Sequence, residues 1–214
     1  MDEATRQSTL MSALTTEHFV LQTAASSTIS ESSARSSLYM LSLSSSLVAM
    51  GFMVQSREVF IPFVAAVLPA VFLLGVFTTI RLVDTSLEYM QYLAGIARIR
   101  SYYRSLGPEA AAYFAADHGR WPEAKSVPAL QLGPLLAFFG TTASMIAVIN
   151  NVLAGAGAAL LAHVLLGEDH RWVALLTGIA AAGLLTLVFL AYQRWRFSTL
   201  EGANAQLDEP QHGA

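Results

Sequence analysis

Residues 172–192 read WVALLTGIAAAGLLTLVFLAY and contain no Asp, Glu, Lys or Arg. The hydrocarbon core of a bilayer is about 30 Å thick, and a helix needs about 20 apolar residues to cross it. A helix closes its backbone hydrogen bonds within its own segment, which lipid demands of any spanning structure. A strand of a membrane barrel would alternate polar and apolar residues, and this run does not. Trp172 and Tyr192 stand at its two ends, where amphipathic aromatic rings favour the headgroup region. The stretch therefore reads as a transmembrane helix.

Three more stretches of the same kind lie upstream. The run 134–166 is also free of Asp, Glu, Lys and Arg, and places a span at 141–166. Residues 60–80 form a charge-free span with Pro69 near its middle, where the ring frees the Ala65 carbonyl and predicts a kink or hinge. Residues 38–54 form the most polar span, interrupted by Ser42, Ser44, Ser45 and Ser46. The chain is thus expected to be all-α, a single membrane domain over 1–214 with four transmembrane helices arranged as two hairpins. Composition agrees: 54% of the 214 residues are hydrophobic and 13% charged, against about 25% charged in a soluble domain.

Connections set the topology. Short links near 55–59 and 167–171 join the first two and the last two spans, and a long link, 81–133, joins the hairpins. Residues 1–37, the long link and the tail 193–214 then share one side. Of the 12 Lys and Arg, only Arg57 and Arg171 fall on the other side. Positive charge stays inside, so both termini and the link are expected in the cytoplasm of a multi-pass protein of the plasma (inner) membrane. No cleavable signal peptide is expected, because Asp2 and Glu3 open the chain and the first strong apolar run starts near Leu38.

Helices are expected to outrun the bilayer. No Gly or Pro precedes Gly51, so a helix is predicted from Glu17, capped by Thr15 or Thr16, to Val54. The second is predicted to continue to Leu106, before Gly107 and Pro108, with Leu82, Tyr89, Leu93, Ile96 and Tyr103 on one stripe. Residues 108–114 read as a short helix with Pro at its first turn, and 117–122 as a turn in which Trp121 rests on the headgroups or on the stalk. In the first helix Ser26, Ser30, Ser33 and Ser37 repeat at helical spacing. They read either as a close-packed or water-lined face or as a solvated connector.

Uncharged polar residues inside the spans are Ser42, Ser44, Ser45, Ser46, Thr141, Thr142, Ser144, Asn150, Asn151 and His163. Ser and Thr can satisfy themselves on their own helix; Ser42, Ser46, Asn150 and Asn151 are the candidates for lining a pore. Gly155 and Ala159, and Ala174, Gly178 and Ala182, form small-residue faces that let helix backbones approach, either within the chain or at an oligomer seam.

Chemistry is not encoded in any recognisable constellation. With no Cys, thiolate nucleophiles, disulfides and zinc ribbons are excluded. H-E-x-x-H, G-x-S-x-G and P-loop patterns are absent, and no two of the five His residues have helical metal-ligand spacing. No metal, cofactor or catalytic residue is therefore expected. A lipid-acting enzyme would have only Asp117, His118 and Arg120 to use. The net charge of −3 gives nucleic acid no reason to bind.

Two stretches, LTTEHFVLQTAASSTISESSARSSLYMLSLSSSLVAMGF from Leu14 and RLVDTSLEYMQYLAGIARIRSYYRSLGPEAAAYF from Arg81, resemble an uncharacterised family of actinobacterial membrane proteins. That resemblance implies no activity. The plan of two spans with long cytoplasmic helices is also similar to small membrane effectors of bacterial nucleotide-signalling defence, which implies membrane perturbation triggered through a cytoplasmic part. The expected function is a non-enzymatic, homo-oligomeric pore or channel in the lipid bilayer. The alternative is a membrane adaptor docking a soluble cytoplasmic partner.

Overall fold

A computed structural model describes residues 2–114 and 141–208. The described residues contain helices and no strand: α1 (Glu3–Met53), α2 (Arg57–Arg104), α3 (Pro108–Tyr113), α4 (Thr142–Leu166) and α5 (Arg171–Asp208), with a single 3₁₀ turn at Glu168–His170. The expected turn at 117–122, with Asp117, His118, Arg120 and Trp121, lies outside the described residues. Among the described residues, four helices are long and apolar enough to cross a membrane.

α1 starts earlier than expected. Thr15 and Thr16 lie inside the helix, and their hydroxyls donate to the Met11 and Ser12 carbonyls one turn back, at 2.9 and 3.0 Å. They are not caps. Nothing between Glu3 and Gly51 breaks the backbone, and a mid-helix Thr that bonds its i−4 carbonyl competes only weakly with the helix. With 51 residues, α1 is about 77 Å long at 1.5 Å per residue. α2, with 48 residues, is about 72 Å long. It runs through Pro62 and Pro69 as one helix. It ends at Arg104 rather than Leu106, because Gly107 adopts φ 157° and ψ 172°, a backbone region essentially confined to glycine.

The chain forms two compact units, to both of which α1 and α2 contribute: Met1–Ser33 with Asp84–Ala137, and Ala34–Val83 with Phe138–Ala214. In the first unit, beside half-buried Ala24 and Glu31, α1 carries a line of buried or half-buried positions, Met11, Leu14, His18, Leu21, Ala25, Thr28 and Ser32. Their alternating steps of three and four are those of a coiled-coil seam. The seam faces α2, where a Cβ on Gly95 would lie 2.9 Å from Leu21 Cδ1. In the second unit the covered positions of α1 are Ser36, Tyr39, Ser42, Leu43, Ser46, Ala49, Met50 and Met53.

In the first unit the tip is closed by α3. Phe114 lies 5.2 Å from the Tyr103 ring, Arg100 sits 5.8 Å over it, and Arg104 donates to its carbonyl at 3.4 Å. In the second unit α4 begins at Thr141, whose hydroxyl accepts from the Ser144 amide at 3.2 Å, an ordinary N-cap. It ends at Gly167, whose φ of 79° suits glycine. α5 continues well past Tyr192 to Asp208, so the expected tail 193–214 begins as helix, and 209–214 lie outside the described residues.

Candidate functional site

In the second unit, α4 and α5 pack antiparallel along a ladder of small and polar residues. At one level Gly155 meets Gly178: a Cβ on either would lie 2.6 Å from the other's carbonyl oxygen. The same Cβ on Gly155 would be 2.8 Å from Ala182 Cβ, and that on Gly178 would be 2.7 Å from Ala159 Cβ. The backbones touch because these four positions carry no side chain larger than a methyl group. Ala174 is buried one turn from Gly178. The small-residue faces on Gly155, Ala159, Ala174, Gly178 and Ala182 are thus occupied within the chain.

The next level is polar. Asn151 donates from Nδ2 to Thr186 Oγ1 at 3.2 Å, and Thr186 passes its own proton to the Ala182 carbonyl at 2.8 Å. Beyond it lies a ring of three side chains. Ser144 donates to Gln193 Oε1 at 3.1 Å, Gln193 Nε2 donates to Thr141 Oγ1 at 3.3 Å, and Thr141 lies 2.8 Å from Ser144 Oγ. With the Ser144 proton on Gln193, Thr141 must be the donor in the last bond, so the ring closes with each group both giving and accepting. Such closed chains polarise one another in a dry interior. Gln193 is 1% exposed, and these bonds set the rotation of α5.

Asn150, 2% exposed, leaves the α4–α5 pair and points at α1 and α2. Its Oδ1 accepts from the Tyr39 hydroxyl at 3.2 Å. Tyr39 itself is fully buried. Gly75 of α2 makes the room, since a Cβ there would collide with Asn150 Oδ1 and come within 2.8 Å of the Tyr39 ring. Three helices therefore meet at Tyr39, Gly75 and Asn150.

Both asparagines singled out as pore-lining are buried and bonded between helices of the same chain. Ser42 and Ser46 are half-buried, and their hydroxyls return to the Leu38 and Ser42 carbonyls at 2.8 and 2.7 Å. The serines that are exposed on α1 are others: Ser8, Ser12, Ser26, Ser27, Ser30, Ser33, Ser37, Ser44 and Ser45, followed by exposed Gly51. Pro69 is exposed on α2. Sequence reading missed Tyr39, Gly75, Thr186 and Gln193. The signal for Gln193 was available, as an amide between Tyr192 and Arg194 that the helical register places with Thr186, Ala182 and Gly178.

Among the described residues no group of three or more His, Asp or Glu could hold a metal ion. No protein-family model, curated protein or solved structure matches the chain. Fold and site define an all-α protein with four helices, among the described residues, able to cross a membrane; its second unit is packed on buried uncharged hydrogen bonds and glycine contacts.

Proposed function

We propose that the chain is a non-enzymatic, multi-pass membrane protein that assembles into a homo-oligomeric pore or channel, with its long helices reaching into the cytoplasm as the assembly or sensing part. On this reading α1–α2 and α4–α5 are two transmembrane hairpins, and both termini are cytoplasmic. The observation that carries it is the exposed edge of α1 in the second unit, where Ser37, Ser44 and Gly51 recur every seven residues and are all exposed. Apolar neighbours such as Leu41, Val48 and Phe52 flank this edge and suit lipid or a second helix. Small hydroxyl residues suit close helix approach or water better than acyl chains. The lining is then assigned to Ser37 and Ser44, and Asn150 and Asn151 keep the scaffold rigid. Pro69 remains the proposed hinge of α2.

Ion flux from liposomes containing the purified chain tests the reading. Flux that falls on S37L and S44L supports it. A bilayer that stays sealed with the chain inserted, at every pH, voltage and cytoplasmic ligand tried, ends it. A second reading, an adaptor docking a soluble partner, is favoured by Leu10, Phe19, Val20 and Ile29, which stand exposed on the part of α1 that no bilayer core of about 30 Å can also cover. Mild detergent extraction that yields a stoichiometric soluble partner and no homo-oligomer would select it.

A further inference from the structure

In the second unit, the outward face of α5 changes character within one turn. Leu184, Leu187, Val188 and Ala191 are exposed along it, and Arg194 and Trp195 then take the same face. Gln193 decides this direction. It lies between Tyr192 and Arg194 and is held by Ser144 and Thr141, so the next two residues, Arg194 and Trp195, face outward. Trp195 is 61% exposed, and its ring packs at 6.3 Å from Tyr192. Arg196, the other cation of this turn, is half-buried and has interactions within the chain, whereas Arg194 is exposed. At the other end of the helix Arg171 covers the Trp172 ring at 6.0 Å, next to exposed Glu168 and Asp169. There the exposed cation has two carboxylates beside it, which Arg194 and Trp195 do not have among their immediate chain neighbours.

We infer that Arg194 and Trp195 form a contact site for the phosphate of an anionic phospholipid at the cytoplasmic face, an inference that rests on the membrane reading above. The guanidinium presents a planar fork that matches phosphate oxygens. The indole sits at headgroup depth with its N–H free to reach water or a glycerol oxygen. The cytoplasmic leaflet is the anionic one, and each cation near it gains from that field. The exposed aliphatic face directly below, Leu184, Leu187, Val188 and Ala191, supplies an apolar surface for the acyl chains of the same lipid.

The test is lipid retention. The chain is reconstituted in vesicles of equal phosphatidylglycerol and phosphatidylcholine, extracted in mild detergent, and its bound lipids are counted by mass spectrometry. Phosphatidylglycerol is expected in excess, the excess falling about fivefold in R194Q and persisting in R194K. R98Q, which removes an exposed cation from the first unit, is expected to change nothing. In a W121F/W172F background, Trp195 emission should shift on moving from pure phosphatidylcholine to the mixture, and should not respond to millimolar inorganic phosphate. Retention in the offered ratio, or an excess untouched by R194Q, overturns the site, as does phosphate reproducing the lipid shift. A chain that never enters the vesicles overturns the membrane reading itself.

Discussion

Replacing Gly178 with Ala adds one methyl group where there is no room for it. The new Cβ would lie 2.6 Å from the Gly155 carbonyl oxygen and 2.7 Å from Ala159 Cβ. The first obstacle is backbone and cannot rotate away. Reaching ordinary contact near 3.4 Å parts the helices by roughly 0.8 Å. A separation of that size carries the 3.2 Å bond from Asn151 to Thr186 to about 4 Å, beyond hydrogen-bonding range. Overpacking of this kind costs about 1–3 kcal/mol, and an interhelical bond in lipid is worth about 0.6 kcal/mol more. The expected total is about 2–4 kcal/mol. Thermal unfolding in a fixed detergent, followed by near-ultraviolet circular dichroism, should show G178A melting several degrees lower. G183A is the control: a Cβ there meets nothing within 4 Å, so it should be neutral or slightly stabilising by its helix preference, about 0.5–1 kcal/mol. If G178A melted with the wild type, or G183A fell with it, the close approach of α4 and α5 would be wrong.

Other perturbations follow from the same contacts. Y39F removes the donor to Asn150 and should lower stability by about 1 kcal/mol, and a double-mutant cycle with N150A should return most of that as coupling; additive losses would mean no bond. Q193L opens the ring to Ser144 and Thr141 and is expected to cost about 1–3 kcal/mol, with S144A adding little on top; full additivity in the melting series would count against a closed ring. F114A removes the ring that Arg100 and Tyr103 contact while leaving the carbonyl that Arg104 bonds, so trypsin should cut after Arg104 a few-fold faster, in line with about 0.5–1 kcal/mol for an exposed cation–π contact; an unchanged cleavage rate would contradict it. T15A and T16A should leave helix content unaltered or slightly raised by circular dichroism, since neither hydroxyl caps α1; a measurable loss of helix would restore the cap.

The four helices were legible because a charge-free run of about 20 residues has few other uses. Their outer limits were less so. Thr15 looks like a cap by composition, yet a Thr hydroxyl can equally close on its own helix, and only backbone continuity to Glu3 decides. Gly107 fixed the end of α2 within two residues, because few other residues tolerate its backbone. The small faces at Gly155 and Gly178 could be recognised as contact surfaces, but their partner could not, since periodicity reports a face and not what meets it. The same limit applies to Asn150 and Asn151. Adjacent in sequence, they point about 100° apart on a helix, one to Tyr39 and one to Thr186. The exposed edge at Ser37 and Ser44 was hidden because Ser42 to Ser46 read as one polar cluster until the covered positions of α1 were known.

Lipid covering the exposed aliphatic faces is the premise beneath every functional statement, and the absence of Cys from the sequence makes it directly measurable. Leu176 is 63% exposed on the chain itself and lies inside the proposed fourth span. Single cysteines at Leu176, Ser8 and Gln55 would be challenged with a charged maleimide in spheroplasts, before and after permeabilisation. The expected pattern is Q55C labelled from outside, S8C labelled only after permeabilisation, and L176C protected in both. Labelling of L176C as fast as S8C in permeabilised cells would show that water, not lipid, bathes that face, and would contradict the account.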